Sequence, residues 1–247
     1  MSAVNGSSSA EGAPAPEPWD LWLDGARSPY MNMAVDQALL TCAAARARPL
    51  LRLYDWDRPA VSIGYVQKAA EVNRGNRILV RRPTGGGVVY HDHDVTYTVV
   101  IPPGHWIDDE ERQVSYRWIN RAVQAALEAL KMDASLSEDS IPKSVDRATM
   151  VCFTNPTRYD IMAGSVKVAG SAQRRTRDGL LHQGSINLEH ADPGSARRNE
   201  LKSKVQYGFR TVLNAQFEPW TPDPGFLSLA TELEEQRYAL REWNHRR

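Results

Sequence analysis

Cysteine is scarce in this 247-residue chain. Cys42 and Cys152 are the two it has, so no disulfide framework holds it together and a reduced compartment suits it. Neither sign of charge is in excess, since 30 Lys and Arg stand against 30 Asp and Glu. A polyanion binder normally carries a basic surplus, and its absence argues against nucleic acid as a partner. No apolar run approaches the ~18 residues that a membrane span needs, which excludes an integral helical membrane protein. The N-terminal stretch has neither the basic start nor the apolar segment of a secretory signal. Together these absences imply a cytoplasmic protein that meets neither membrane nor nucleic acid. Two sequence signatures are also missing. No Gly-Lys-Ser/Thr closes a phosphate loop, and no Gly-x-Ser-x-Gly marks a nucleophile elbow.

What is present is ordinary globular composition, 42% hydrophobic and 24% charged. The length exceeds the ~100–150 residue domain mode but fits one large domain. Residues 1–16 are rich in Ser, Ala and Pro and lack aromatics, so they read as a disordered tail before a single domain over 17–247. Strand patterns occur at Trp19–Leu23, Leu51–Trp56, Ala60–Tyr65, Ile78–Arg82 and Val95–Ile101. Helical spacing follows Ser28-Pro29 and returns over Val114–Lys131. A second strand-rich block spans Met150–Phe153, Tyr159–Met162, Val166–Val168 and Leu180–Leu188, and helices around Val205–Leu213 and Leu227–Trp243 close the chain. Strands in consecutive runs with helices at the margins predict an α+β fold.

Chemistry concentrates in a few places. Arg81-Arg82-Pro83-Thr84 leads into the triplet Gly85, Gly86 and Gly87, where the missing Cβ atoms let backbone N–H groups approach a ligand. The two arginines would suit a carboxylate or phosphate there, or the segment is a hairpin loop with solvated arginines. Lys167 lies in an apolar stretch bounded by Gly170, Ser171 and Ala172, and either snorkels to solvent or is held beside a polar ligand. Cys152, in an apolar strand pattern, is a core residue or a nucleophile activated by a nearby cation. Cys42 has no such company. His91 and His93 share a strand face, but no third ligand stands at recognisable spacing, so no metal is expected.

In combination and in order, these segments resemble the lipoate-protein ligase and octanoyltransferase family, which shares the catalytic fold of biotin protein ligase. The resemblance rests on Asn32-Met33-Ala34 with Asp36, Ser62-Ile63-Gly64-Tyr65 with Gln67, and the Arg81–Gly87 run continuing to His91-Asp92. Lys167–Arg174, His182-Gln183-Gly184-Ser185 and Tyr238–Asn244 complete it, so it covers about Trp19 to Asn244. It implies a large mixed or antiparallel sheet and a small sheet, flanked by helices. In one octanoyltransferase branch a Cys-Phe dipeptide precedes a Tyr-Asp strand, and Cys152-Phe153 and Tyr159-Asp160 match that arrangement. The full glycine triplet with Tyr90 looks more like the ligases. Ligases usually carry a further C-terminal domain, for which the chain leaves no room.

The branch implies transfer of octanoyl from octanoyl-acyl carrier protein to Cys152, then to a lysine of a lipoyl domain. The acceptors would be 2-oxoacid dehydrogenases or a glycine cleavage H-type protein. Lys167 would stabilise the oxyanion. Arg82, Thr84, the glycine triplet, His91, Gly170, Ser171, Ala172, His182 and Gly184 would surround the acyl group. His182 would either close the pocket or relay a proton. No cofactor is implied; ATP and Mg would enter only in an ATP-dependent ligase, the first alternative. A non-catalytic lipoyl-domain adaptor is the second. Arg174-Arg175-Thr176-Arg177 is a candidate patch for steering acidic partners.

Overall fold

The computed structural model describes residues 14–138, 157–187 and 194–246. The expected Met150–Phe153 strand, Cys152 included, and the tail up to residue 13 lie outside these. The chain begins with strand β1 (Glu17–Arg27) and helices α1 (Pro29–Thr41) and α2 (Ala43–Arg46), then β2 (Leu50–Trp56), β3 (Ala60–Ile63), β4 (Ile78–Arg81), β5 (Val89–His91) and β6 (Val95–Ile101). Helices α3 (Trp106–Asp109) and α4 (Arg112–Glu128) precede β7 (Ala134–Leu136), β8 (Ile161–Ala163), β9 (Val166–Thr176) and β10 (Gly179–Ile186). Helix α5 (Gly194–Leu213), β11 (Ala215–Pro219), α6 (Pro224–Leu233) and α7 (Arg241–Asn244) complete the order.

Eight strands form one mixed sheet in the order β11-β1-β2-β6-β10-β9-β8-β7, and β4-β3-β5 form a small second sheet. Pairing is parallel among β11, β1 and β2 and antiparallel from β2 onward. The fold is thus α+β with a large and a small sheet. β6 is buried on both faces, which its β-branched sequence VTYTVVI suits. One face packs Tyr97, Val99 and Ile101 against Ile119 and Val123 of α4 and Val205 and Phe209 of α5. The other packs Val100 and Leu181 against Val35 and Leu39 of α1 and Phe226 of α6. Both outer-face helices start where local chemistry predicts. Ser28 Oγ accepts from Met31 N at 3.0 Å with Pro29 in the first turn, and Asp223 Oδ1 accepts from Phe226 N at 2.8 Å ahead of Pro224.

Two expectations change. The Val166–Val168 strand extends to Thr176, because β10 supplies partners from Ala169 to Thr176. The closing helix is not continuous over Leu227–Trp243. A π-helical turn over Glu234–Tyr238 separates α6 from α7 and leaves Tyr238 buried, its hydroxyl donating to Gln37 Oε1 at 2.6 Å. The redirected chain end then docks on the small sheet, where Asn244 Oδ1 accepts from Arg81 N at 2.8 Å.

Between α1 and the large sheet the interior holds charge. Arg52 is fully buried and donates to Asp24 Oδ2 and Asp36 Oδ1, each at 2.7 Å, and to Asn32 Oδ1 at 2.7 Å. The other Asp36 oxygen accepts from Tyr54, Thr98 and Gln183 at 3.1, 2.8 and 2.6 Å. Burial pushes the Asp24 carboxyl up, but Arg27 and Arg52 outweigh it and leave the group below its usual range. Removing one member of such a cluster strands the others without solvent. Arg52→Leu is therefore expected to cost about 3–5 kcal/mol in urea unfolding, and a loss below about 1 kcal/mol would show that the cluster is not structural.

Candidate active site

The glycine segment is built from beneath. β4 ends at Arg81, whose buried guanidinium donates to the carbonyls of Gly64, Tyr65 and Gln67 at 3.1, 3.1 and 2.7 Å and to those of Trp243 and Asn244 at 3.1 Å each. Arg82 turns into the loop itself, donating to Gly85 O and Gly87 O, each at 2.8 Å, and to Ser62 O at 2.9 Å. Each arginine thus holds backbone carbonyls. These bonds scaffold the loop, because loop carbonyls left without donors in the interior would be costly. Gly64 faces the loop so closely that a Cβ there would sit 2.1 Å from Gly86 O. Gly86 itself has φ +85°, and a Cβ on it would meet Arg82 Nη2 at 3.2 Å.

A second buried chain runs from the large sheet to the loop. Asp94 Oδ2 accepts from Thr96 and Ser185 hydroxyls at 2.9 and 2.6 Å and lies 2.8 Å from His91 Nδ1. His91 Nε2 is 2.7 Å from Ser62 Oγ, which accepts from Arg82 Nη1 at 2.7 Å. The His91 ring also stacks on Trp56 with centroids 4.0 Å apart. Burial raises the Asp94 carboxyl, yet His91, Ser185 and Thr96 together hold it below its ordinary value. Thr84 joins the Asp36 cluster through Gln183 Oε1, at 2.7 Å.

Above these supports lies a cleft lined by Met33, Trp56, Val89 and Ala172, by the backbone of Gly86, Gly170 and Gly184, and by Ser62, Arg82, His91, Thr96, Gln183 and Ser185. Every polar side chain in that list already has a partner within the protein. Their hydrogen-bonding capacity is therefore largely spent, and what the cleft offers a guest is apolar surface and glycine backbone.

Of the expected site residues, Arg82, Gly86, His91, Gly170, Ser171, Ala172 and Gly184 converge on this cleft. Thr84, Gly85 and Gly87 form its outer support. Lys167 is buried at the start of β9 and bonds Asp160 Oδ2 at 2.6 Å, so it does not snorkel to solvent. Asp160 also accepts from Thr157 N and Oγ1 at 2.6 and 2.8 Å. The turn before it is set by Tyr159, at φ +69°, whose carbonyl accepts from Asn120 Nδ2 at 2.9 Å. Burial pushes the Asp160 carboxyl up against the pull of Lys167. Cys152 is outside the described residues. Among the described residues no cluster of metal-ligating side chains occurs.

His182 lies on β10. It is fully buried on the α4 side of the sheet and is not among the residues lining the cleft. Its ring packs against Tyr97 and Tyr116, with centroids 5.9 and 5.3 Å away, and its Nδ1 lies 3.0 Å from Gln173 Nε2. A Cβ on Gly184 would meet the Tyr97 ring at 2.1 Å, so the glycine makes room for that stack. Alternation along β10 puts His182 and Gly184 on one face, a pairing that local sequence shows without its partner ring. Sequence reasoning passed over Trp56, Ser62 as a hydrogen-bonding group, and Gln183 as a bridge.

The chain matches the family model described as lipoyl protein ligase A/B catalytic domain over residues 28–205. It is 31% identical to "Octanoyltransferase LipM" of Brevibacillus brevis, covering 94% of this chain and 100% of that protein. It is similar to the structure of lipoate-protein ligase A bound with ATP, at 28% identity and TM-score 0.77 over 93% of this chain and 99% of that one. A bi-partite lipoate protein ligase from Thermoplasma acidophilum, solved in a study with its E2 lipoyl domain, gives 25% identity and TM-score 0.73, covering 94% and 97%.

Burial lowers the His182 pKa to about 3. The unfolded chain takes up this proton near pH 6.5, whereas the native ring does not until far lower. Stability should therefore be full above about pH 6.5 and fall as pH drops from there, with a slope approaching about 1.4 kcal/mol per pH unit. Urea midpoints between about pH 4.5 and 7 test this. His182→Gln should flatten that part of the profile, and an unchanged slope would mean that His182 titrates in the native protein.

Proposed function

Because the chain belongs to the lipoyl protein ligase A/B catalytic domain family, we propose that it transfers an octanoyl group from octanoyl-acyl carrier protein to a lysine of a lipoyl domain. The supporting observation is that its full-length curated relatives are named octanoyltransferases, joined to a cleft whose polar groups are already engaged. An acyl chain asks nothing more of its walls. Each methylene buried there contributes about 0.8 kcal/mol.

In this reading the Cys152 thiolate attacks the thioester carbonyl of the donor. The tetrahedral oxyanion collapses with loss of the carrier's thiolate, leaving an octanoyl thioester on Cys152. The amine of the acceptor lysine attacks that carbonyl in turn, the Cys152 thiolate leaves, and the amine's proton passes to solvent or to that thiolate. Exchange of one thioester for another is close to thermoneutral, so no nucleotide is needed, and amide formation drives the second half. Lys167 donates to the oxyanion, with Asp160 holding its ammonium. Lys167→Ala should lower kcat by ~10²–10³.

The ATP-dependent ligase is the second reading, favoured by the ligases among the similar structures. Incubation with octanoyl carrier protein and no ATP separates the two. Intact-mass analysis should show one octanoyl adduct, released by hydroxylamine and absent from Cys152→Ala. If no adduct forms while ATP and free lipoate modify a lipoyl domain, the ligase reading replaces this one.

A further inference from the structure

Where the chain end docks beside the glycine segment, three guanidiniums gather on two aromatic rings. Arg246 lies 3.9 Å above the Tyr65 ring and 4.2 Å from that of Trp243. Arg174 approaches the same Tyr65 ring at 5.3 Å, and Arg237 the Trp243 ring at 4.9 Å. All five residues are half-buried, and all but Arg246 line one surface groove with Gln37 and Asp178. Their hydrogen bonds go to neutral groups: Arg174 to Pro83 O at 3.0 Å, Arg237 to Gln37 Oε1 at 2.9 Å and Arg246 to Tyr65 O at 3.1 Å. Arg246 Nε is buried and without an acceptor among the described residues. The carboxylate of Asp178 is 3.6 Å from Arg177.

In a chain of zero net charge, three adjacent cations with no carboxylate partner among the described residues form a concentrated positive patch. Stacking on rings holds the planar groups in fixed orientation, so little freedom is lost when they pair with carboxylates. This patch takes Arg174 from the Arg174–Arg177 run expected from sequence. Arg175 turns inward to Asp108 O and Ser115 Oγ at 2.6 and 2.8 Å, and the added cations come from the chain end.

We propose that this patch docks the acyl donor, a small acidic carrier protein, through carboxylates on its surface. The proposal rests on the carrier-dependent reading above. Arg174 and Lys167 are seven residues apart on β9, roughly 23 Å at strand spacing. A partner seated at the patch is too far from Lys167 for a lysine side chain to reach, but not for a thioester carried on a long pantetheine arm. The geometry therefore favours the donor over the acceptor, whose lysine must come to the reaction centre directly.

The test compares the wild type with Arg237→Glu/Arg246→Glu in steady-state octanoyl transfer. The variant should raise KM for octanoyl carrier protein at least about tenfold and weaken its salt dependence. KM for octanoyl-pantetheine, which lacks the protein, and for the lipoyl domain should not move. Arg237→Lys/Arg246→Lys, which keeps the charge, should recover most of the loss. An unchanged carrier KM, or a rise confined to the lipoyl domain, overturns the proposal. An equal rise with octanoyl-pantetheine also overturns it, by showing damage to the site itself. Should the wild type accept no octanoyl from the carrier, the underlying reading fails rather than the patch alone.

Discussion

The Asp36 carboxylate is the point through which much of this structure is joined. It accepts from Arg52, Tyr54, Thr98 and Gln183, which come from β2, β6 and β10, and it is itself carried by α1. Buried from solvent, each donor needs this acceptor as much as the carboxylate needs them. Gln183 passes the constraint onward to Thr84, at the entrance to the glycine segment. One helix, three neighbouring strands and the loop over the cleft are thereby held in one arrangement.

The second chain, Asp94–His91–Ser62–Arg82, does the same for the small sheet, and it ends on the carbonyls of Gly85 and Gly87. Two buried paths thus fix the loop, one through Thr84 and one through Arg82. The result is an unusual economy of polar atoms. Residues that look reactive in sequence spend their hydrogen bonds on the scaffold, and the cleft they frame is left for an apolar guest. Lys167, paired with Asp160, is buried on the same strand as the cleft residues Gly170 and Ala172.

Much of this was legible in the sequence for identifiable reasons. The alternating β-branched run of β6 and the Ser-Pro start of α1 carry local signals that tertiary contacts do not override. The glycine triplet marked the loop that frames the cleft, and at Gly86, with φ +85°, the backbone conformation favours glycine. Partner identity was less visible. Nothing near Arg82 in sequence announces that it folds back on its own loop, and His182 looks the same whether it faces the cleft or a pair of tyrosines. The π-helical turn at Glu234–Tyr238 has no sequence marker in a helical pattern, yet it redirects Trp243 and Asn244 onto Arg81, brings Arg237 to the groove and sets Arg246 against the Trp243 ring.

The central claim is that the cleft is an acyl site held open by scaffolding arginines, and a complex structure addresses it directly. Crystals grown with a non-transferable octanoyl-pantetheine ketone should show the acyl chain between Met33, Trp56, Gly86 and Ala172, with Arg82 still bonded to Gly85 and Gly87. An acyl chain bound elsewhere, or Arg82 swung out of the loop to meet the ligand, would contradict it.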